Sequence, residues 1–404
     1  MDIKNLQAIM RGITTYRDIL TQPIMRQALC LINCVTREDG LGGLDAYTEL
    51  FYLLRSAGYS GLGQWLKDAL RWSESPYPQL VEREGQDPIL ERAAQADISA
   101  FALLASVTCE KWVAALGQHL GNAYQTIVSG LPHWQQGVPF SFESLTEAYQ
   151  KEGVGLFARY RAFVWENGTL IPVAQPDCPD TNQLLGYNDQ RAEVELNTRT
   201  LVEGRYVNNV LLYGESGTGK SATVKNLLTL PGLEELRLIE ADKADLGGLP
   251  ALIRKLEGKR QKFIIFIDDL TFDRDDSTYS VLKTILEGGV ERRPQNVAIY
   301  ATSNRRHLIR QTISERAGDE MDRTETIREK TSLADRFGVR VLFQGLSKKE
   351  FLELVDMLAE QHGIVLSSEE LHHQAIAWER FHSGQTPRIA LQFVRSLQPH
   401  TAEE

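Results

Sequence analysis

The sequence has few cysteines, no excess of basic residues and no long apolar run, and each absence excludes a class of protein. Only four cysteines occur in 404 residues, and they lack the clustering with histidine or further cysteine that a zinc site requires. The net charge of -10 argues against a surface that binds polyanions in general. No stretch approaches the roughly 18 uninterrupted apolar residues of a membrane span.

The amino terminus, from Met1 to Asn5, also lacks the basic start and apolar run of a secretory signal. These absences predict a cytoplasmic protein without a membrane segment. What the sequence does contain is 42% apolar and 24% charged residues, as in an ordinary globular protein. Its length is sufficient for two or three domains with their own cores.

The first part of the chain shows two different patterns. Residues 1–160 carry apolar side chains at helical spacing almost throughout, which predicts a mostly α-helical N-terminal domain. The string FVWENGTLIPV then contains two β-prone runs on either side of Asn167-Gly168, a strong hairpin-turn dipeptide. A proline-rich connector follows, so the main boundary is placed at about 175–183. Residues 161–183 are interpreted as a hairpin-like lead-in and linker.

The period of the apolar pattern changes after this connector. Most of the short apolar runs that follow are separated by helical segments, as a parallel sheet with crossover helices requires. These runs are residues 210–213, 236–239, 263–267, 297–300 and 339–343. Beyond Ser347 only helical patterns are found. The sequence therefore predicts an α/β core with a five-stranded parallel sheet over residues 184–345, followed by a helical lid over residues 346–404.

A glycine-rich turn between the first run and the next helix matches the phosphate-binding pattern GxxxxGKS in full. Glycine permits the dihedral angles that turn successive N–H groups toward one phosphate. Lys220 would supply a positive charge to the β- and γ-phosphates, and the Ser221 hydroxyl would ligate Mg²⁺. The residues predicted to bind ATP here are Gly214, Glu215, Ser216, Gly217, Thr218, Gly219, Lys220, Ser221 and Ala222.

Two aspartates follow the run at 263–267 and fit the strand that accompanies a phosphate loop. Asp268 would hold Mg²⁺ together with Ser221, and Asp269 would orient or deprotonate the attacking water. Many proteins with this pattern have glutamate at the second position, and aspartate is one methylene shorter, so slow turnover is expected. The alternative interpretation is a pair of helix-capping aspartates after a buried strand.

With these two motifs in place, the chain resembles AAA+ proteins. The string VAIYATSN is similar to their sensor-1 strand, which implies that Asn304 lies close to the γ-phosphate and the attacking water. The string SLADRFG resembles the arginine-finger segment of the replication-initiator and helicase-loader branch, which implies that Arg336 enters a neighbouring subunit's site. The alternatives are that Arg336 pairs with Asp335 or Glu329, or that another arginine in 316–336 is the finger.

Two further matches concern the lid and the base. Thr386-Pro387-Arg388 matches the sensor-2 motif, which implies that Arg388 lies near the γ-phosphate. The string LLGY resembles the linker that encloses adenine, with Gly186 permitting close approach and Tyr187 packing on the base. An ordinary helix start is the alternative for this second segment.

Longer strings make the resemblance more particular. NNVLLYGESGTGKS, FIIFIDDLTF, ILEGGVERRPQNVAIYATSNRRHLI and LADRFG together resemble one bacterial ATPase family, catalogued as domain of unknown function 815, over about residues 160–398. This resemblance implies an AAA+ P-loop fold, binding of ATP with Mg²⁺ and ATPase activity. It supplies no physiological substrate.

Three functions are compatible with the sequence. The first is an oligomeric ATPase, a homo-oligomer or ring, that acts on an unidentified protein partner of the N-terminal domain. The second is a nucleotide-gated binding switch with negligible hydrolysis, suggested by the short side chain of Asp269. The third is a nucleic-acid remodeller similar to helicase loaders, for which Arg305 and Arg306 are candidates. Nearby acidic residues and the negative net charge disfavour nucleic acid.

Overall fold

The computed structural model describes residues 3–137, 139–271, 277–287, 293–304, 333–382 and 384–398. The chain divides into two compact units, Met1–Arg159 and Tyr160–Glu404, so the hairpin segment belongs to the second unit. Outside the described residues lie the nucleic-acid candidates Arg305 and Arg306, the other arginines of the finger segment, Arg316, Arg323 and Arg328, and the alternative partner Glu329.

The first unit is helical in the part that the structure describes, as its apolar spacing predicts. Its α-helices are α1 (Ile3–Arg11), α2 (Arg17–Leu20), α3 (Pro23–Thr36), α4 (Gly40–Ser56), α5 (Leu62–Arg71), α6 (Pro76–Glu82), α7 (Pro88–Ala105), α8 (Cys109–Leu120), α9 (Gln125–Ser129), α10 (Phe142–Glu152) and α11 (Gly155–Arg159). Asp87 caps α7 by accepting from the N–H groups of Ile89 and Leu90, and Pro88 occupies the first helical turn.

No single helix among the described residues is both long and apolar enough to cross a membrane. The consecutive helices α7 and α8 are long and apolar enough only when taken together, and they are bent by 71° relative to each other.

The buried carboxylate of Asp97 links the start of the first unit to α7, the longest helix described there. Asp97 of α7 is 3% exposed. Its Oδ2 accepts from the N–H of Thr14 at 3.0 Å, from the N–H of Thr15 at 2.7 Å and from the Thr15 hydroxyl at 2.6 Å. A buried ion of this kind is tolerated only when its lone pairs are satisfied. Asp97 therefore fixes the turn between α1 and α2.

The second unit is built on one sheet. Its strands are β1 (Ala162–Glu166), β2 (Thr169–Val173), β3 (Val210–Gly214), β4 (Leu236–Ala241), β5 (Lys262–Ile267), β6 (Val297–Ser303) and β7 (Val339–Phe343). Among the described residues their order is β2-β1-β4-β5-β6-β3-β7. Of the strand pairs that the structure describes, β1–β2 alone is antiparallel, and the other neighbours are parallel. The α/β architecture is therefore confirmed.

The predicted number of five strands is wrong, because the hairpin joins the sheet and gives seven strands in the described part of the chain. Asn167 and Gly168 have positive φ values of 49° and 76°, as a two-residue hairpin turn requires. β1 pairs with β4 and buries Phe163 and Trp165. It therefore covers an edge that β4 would otherwise expose. Pro172 lies on the outermost strand, β2, and removes one N–H donor from it.

Helices cover the sheet and form a separate cluster after β7. They are α12 (Asn188–Val202), α13 (Lys220–Asn226), α14 (Leu249–Leu256), α15 (Ser277–Glu287), α16 (Lys348–Gln361), α17 (Ser368–Phe381) and α18 (Pro387–Ser396). The last three, here called the lid, share an apolar core that includes Phe351, Leu354, Leu371 and Phe393. Ser347 starts the lid with a reciprocal capping box to Glu350.

The sheet topology decides which residues can form a site. β6 lies between β3 and β5, and the three strands are parallel. Their carboxyl ends therefore meet at one edge of the sheet. The glycine-rich turn follows β3, Asp268 and Asp269 follow β5, and Asn304 follows β6.

We expect Asp97→Ala to destabilise the first unit by about 2–3 kcal/mol, because it leaves the buried N–H and hydroxyl donors of Thr15 without their charged acceptor. Urea unfolding followed by circular dichroism measures the change. Asp45→Ala, which removes an exposed carboxylate on α4, is the matched control. A midpoint for Asp97→Ala equal to that of the control would contradict the assigned role.

Candidate functional site

The turn after β3 has the backbone that its glycines predict. Gly214, Gly217 and Gly219 have φ values of 139°, 80° and 91°, which non-glycine residues rarely adopt. A Cβ atom at Gly214 would overlap the Phe343 carbonyl group of β7. The N–H of Glu215 donates to that same carbonyl oxygen at 3.0 Å. Residues 214–221, called here the phosphate loop, are thus anchored on the strand next to β3.

Lys220 is 5% exposed and points back into the phosphate loop. Its Nζ donates to the carbonyl oxygens of Glu215 at 2.6 Å and Gly214 at 3.2 Å. An ammonium group has three donors, so this arrangement leaves one for a ligand. Burial lowers the pKa of Lys220, while the nearby Asp268 and Asp269 carboxylates act in the opposite direction. A bound anion would complete the compensation of this buried charge.

Ser221 and Asp268 come together across the sheet edge. The Ser221 hydroxyl donates to Asp268 Oδ1 at 2.6 Å. The same carboxylate oxygen accepts from the Thr302 hydroxyl of β6 and from the N–H of Asp269 at 3.1 Å. Because β6 lies between β3 and β5, Thr302 occupies the gap and fixes the orientation of the Asp268 carboxylate.

Asp269 has a backbone conformation that is unusual for a residue other than glycine. Its φ is 48°, and such strain persists only where the surroundings determine it. The N–H of Asp269 donates to Thr302 Oγ1 at 2.9 Å, and its Oδ1 accepts from Asn304 Nδ2 at 2.8 Å. These contacts hold the exposed carboxylate of Asp269 beside that of Asp268.

The lid contacts the phosphate loop through the start of its last helix. The N–H of Arg388, in the first turn of α18, donates to the Gly217 carbonyl at 3.2 Å. A Cβ atom at Gly217 would lie 3.1 Å from Arg388 Cβ and from Thr386 Oγ1. Glycine therefore permits the close approach of the loop and the lid, and this approach brings the Arg388 side chain to the loop.

These elements surround one cavity of about 470 Å³, called here the phosphate cavity. Its lining includes the predicted residues Ser216, Gly217, Gly219, Lys220, Ser221, Ala222, Asp268, Asp269, Asn304 and Arg388. Glu215 and Thr218 support the loop instead. The buried Thr218 hydroxyl donates to the Glu215 carbonyl at 2.9 Å, and the Glu215 side chain packs against Gly345.

Gly186 and Tyr187 line a different cavity, of about 600 Å³, with residues of the lid such as Ser347 and Leu354. Tyr187 has a φ of 53°, and its hydroxyl donates to the Gln344 carbonyl at 2.6 Å. Burial raises the pKa of Tyr187 to about 12. The structure therefore places these two residues beside the end of β7 and next to the lid, outside the lining of the phosphate cavity.

Arg336 does not line the phosphate cavity of its own chain. It precedes β7, whose register places Val339 beside Val210 and Phe343 beside Gly214. At about 3.3 Å per residue, roughly 13 Å of strand therefore separates this end of β7 from the phosphate loop. Asp335 forms an ion pair with Arg340 at 2.8 Å, so that carboxylate has a partner other than Arg336.

Sequence reasoning missed four lining residues. Asp177, Pro179 and Lys225 line the phosphate cavity, and Thr302 joins the two aspartates. The alternation of side chains along a strand was the available signal for Thr302, because residues two apart share a face and Asn304 was already identified. No local pattern marks Asp177 or Pro179, which reach the cavity only through the path of the connector after β2.

The side chains present fit a magnesium ion. Ser221 and Asp268 supply the hydroxyl and carboxylate oxygens that this ion prefers. Within the part of the chain that the structure describes, no group of three or more His, Cys, Asp or Glu side chains has the arrangement of a metal site. A divalent ion here would therefore take its other ligands from phosphate and water, as Mg²⁺ commonly does.

Comparison with known proteins gives one family. The profile of the family described as "Protein of unknown function (DUF815)" matches residues 158–401, more than half of the chain. No significant match is found among curated proteins.

Structures of RuvB from Thermotoga maritima are similar to part of the chain. The structure titled as the Holliday junction branch migration motor has 16% identity and a TM-score of 0.36, and the match covers 55% of this chain and 63% of that one. Two point mutants of RuvB match with the same identity and TM-score over 52% of this chain and 62% and 61% of theirs. The chain thus spans about six-tenths of the length of these structures.

We expect Thr302→Val to weaken Mg²⁺-dependent binding of a polyphosphate ligand by roughly 5- to 30-fold, because it removes a hydroxyl that holds Asp268, a loss of about 1–2 kcal/mol. Thr302→Ser keeps the hydroxyl and is the matched control. Titration calorimetry with and without Mg²⁺ measures the effect. Equal affinities for all three proteins in Mg²⁺ would show that Thr302 does not position the carboxylate.

Proposed function

The chain belongs to the DUF815 family, and from that premise we propose that it is an AAA+ ATPase that binds ATP with Mg²⁺. The observation that carries the proposal is the pair Ser221 and Asp268, joined at 2.6 Å beside the buried Lys220. A hydroxyl, a carboxylate and a lysine ammonium at the end of a glycine-rich turn are the groups that bind the phosphates of a nucleotide and their metal ion.

The roles of the side chains follow from their positions. Mg²⁺, when bound, would neutralise charge on the β- and γ-phosphates. Lys220 donates to the same phosphates, and Ser221 and Asp268 supply metal ligands. Asp269 accepts a hydrogen bond from the attacking water or removes its proton. Arg388 enters from the lid and pairs with the γ-phosphate, so that the lid position depends on the bound nucleotide.

Asn304 and the base complete the proposed site. Asn304 holds Asp269 through the 2.8 Å hydrogen bond between their side chains, and so couples the proposed catalytic carboxylate to the end of β6. Adenine is assigned to the cavity beside Gly186 and Tyr187, because that cavity adjoins the lid and has an aromatic ring in its wall.

Arg336 is proposed to act on the site of a second copy of this chain. Its place at the far end of β7 keeps it from its own phosphate loop, which supports action in trans and therefore a homo-oligomer. An arginine supplied in this way stabilises the negative charge that spreads over the phosphoryl oxygens during transfer.

A second candidate function is a nucleotide-gated binding switch with negligible hydrolysis. The hydrogen bond from Asn304 to Asp269 favours it, because the carboxylate must share or leave this partner before it acts on water.

Under either function the first unit binds a protein partner, in the cytoplasm where ATP is available. A nucleic-acid remodeller is third, because the chain carries a net charge of -10.

Lys220→Ala is expected to weaken ATP binding at least about 100-fold, because it removes the buried cation that contacts the phosphates and about 3 kcal/mol of charged hydrogen bonding. Asp269→Asn is expected to keep ATP affinity within a few-fold and to abolish phosphate release. Titration with fluorescent ATP and a phosphate-release assay measure the two effects, and chelation of Mg²⁺ with EDTA should reduce both. Saturable ATP uptake by Lys220→Ala equal to that of the unaltered protein would refute the nucleotide site.

Arg336→Ala is expected to lower the rate of ATP hydrolysis by roughly 10³-fold without changing ATP affinity, because a finger acts on the transition state. Mixing this variant with Lys220→Ala subunits, which retain Arg336, should restore activity. Arg340→Ala, which removes a nearby exposed arginine, is the control. Full activity of Arg336→Ala alone would assign the finger to another residue.

A further inference from the structure

The first unit contains a cavity of about 270 Å³ that the proposed ATPase reaction does not use. Three aromatic side chains, those of Tyr59, Trp65 and Trp72, line it together with the carboxylates of Asp68 and Glu74. This combination differs from the apolar lining of an ordinary packing defect. We call it the aromatic cavity.

One helix supplies most of the aromatic cavity. Trp65 and Asp68 are three residues apart on α5, and Trp72, seven residues after Trp65, caps the helix at its C-terminal end. Residues at this spacing share a helix face, so α5 presents a carboxylate between two indole rings. Trp65 is only 5% exposed, whereas Asp68 and Trp72 are half-buried. The Trp65 ring is therefore held in place by packing.

The electrostatics of the aromatic cavity favour a positive ligand. Burial raises the pKa of Asp68, and the charges of Arg159 and Lys67 only partly oppose this. A nearby cation stabilises the charged form of such a desolvated carboxylate. Asp68 and Glu74 contribute two negative charges to the lining, and Arg159 contributes one positive charge. The lining therefore has a formal sum of -1 even with Arg159 in place, which favours a cationic ligand over an anionic one.

An internal cation already uses part of this surface. The guanidinium carbon of Arg159 lies 4.5 Å from the centre of the Trp72 ring, which is the geometry of a cation–π contact. Arg159 is exposed and ends the short helix α11. That helix begins at Gly155, whose φ of 67° and close approach to the Glu74 carboxylate exclude a side chain there. Glycine thus brings Arg159 to the rim of the cavity.

We propose that the aromatic cavity binds one organic cation, the guanidinium or ammonium group of a basic side chain or of a free amine, and that Arg159 is the internal group that this ligand displaces. An indole face and a half-buried carboxylate together recognise a cation with an apolar stem. An anion would be repelled by two carboxylates, and a neutral apolar ligand would leave Asp68 desolvated without compensation.

The test uses the full-length protein and matched tripeptides. Acetyl-Gly-Arg-Gly-amide and its citrulline counterpart have nearly the same shape, but only the first is charged. We expect the arginine peptide to bind about tenfold more tightly than the citrulline peptide at constant ionic strength, because the cation–π contact and the ion pair with Asp68 require charge. Tryptophan fluorescence and calorimetry report binding. Equal binding of the two peptides, or no binding of either at millimolar concentration, would overturn the proposal.

Two substitutions with opposite expected signs separate recognition from damage to the fold. Asp68→Asn keeps the side-chain shape and should weaken binding of the arginine peptide about tenfold. Arg159→Ala uncovers Trp72 and removes a competing charge, so it should strengthen binding several-fold. Asp45→Asn on α4 is the control and should change nothing. Weaker or unchanged binding by Arg159→Ala would show that Arg159 is not the displaced group and would reject the proposal.

A further measurement with n-butylguanidine, which carries one guanidinium and no peptide, identifies the source of the cation. Tighter binding of the tripeptide than of n-butylguanidine assigns the cavity to a basic side chain of a partner protein. Equal or tighter binding of n-butylguanidine assigns it to a free guanidine or amine. Because these measurements need no ATP, their outcome is independent of the proposed ATPase reaction.

Discussion

The contact between Ser221 and Asp268 spans β6, which lies between β3 and β5, and it depends on the three strands ending at the same edge of the sheet. Two strands that are not neighbours lie about 10 Å apart, which is too far for a serine and an aspartate to meet unaided. Ser221, in the phosphate loop, and Asp268, just after β5, nevertheless meet at 2.6 Å. The hydroxyl of Thr302, at the end of β6, donates a hydrogen bond to Asp268 Oδ1, the same oxygen that accepts from Ser221. The pair exists because three parallel strands end together.

The same arrangement stores strain at Asp269. Its positive φ is held by the bond from its N–H to Thr302, and its carboxylate is held by Asn304. Both partners belong to the end of β6. A small movement of that strand end would therefore alter the backbone and the side chain of Asp269 together, which connects the position of the proposed catalytic group to the strand that borders the phosphate loop.

The local motifs of the site could be predicted from the sequence, because each is a short pattern with a fixed backbone requirement. The glycines of the phosphate loop and the pair Asp268 and Asp269 are examples. The strand pairing of the hairpin was not predictable in the same way: Asn167-Gly168 indicates a turn, but nothing local shows that β1 pairs with β4. Thr302 was missed because a threonine in a buried strand has the pattern of an ordinary sheet residue. The position of Arg336 relative to the loop required the register of β7 against β3.

The hairpin has a further consequence for the second unit as a module. The outermost strand ends the sheet with a proline and a tight turn, so the unit that begins at Tyr160 carries its own protection against association through backbone hydrogen bonds. If the chain were shortened to begin after residue 175, β4 would become a bare edge rich in apolar side chains. The hairpin at the start of the second unit is thus part of what keeps the sheet from polymerising, and the smallest portion expected to stay dispersed begins with the hairpin and not with the nucleotide motifs.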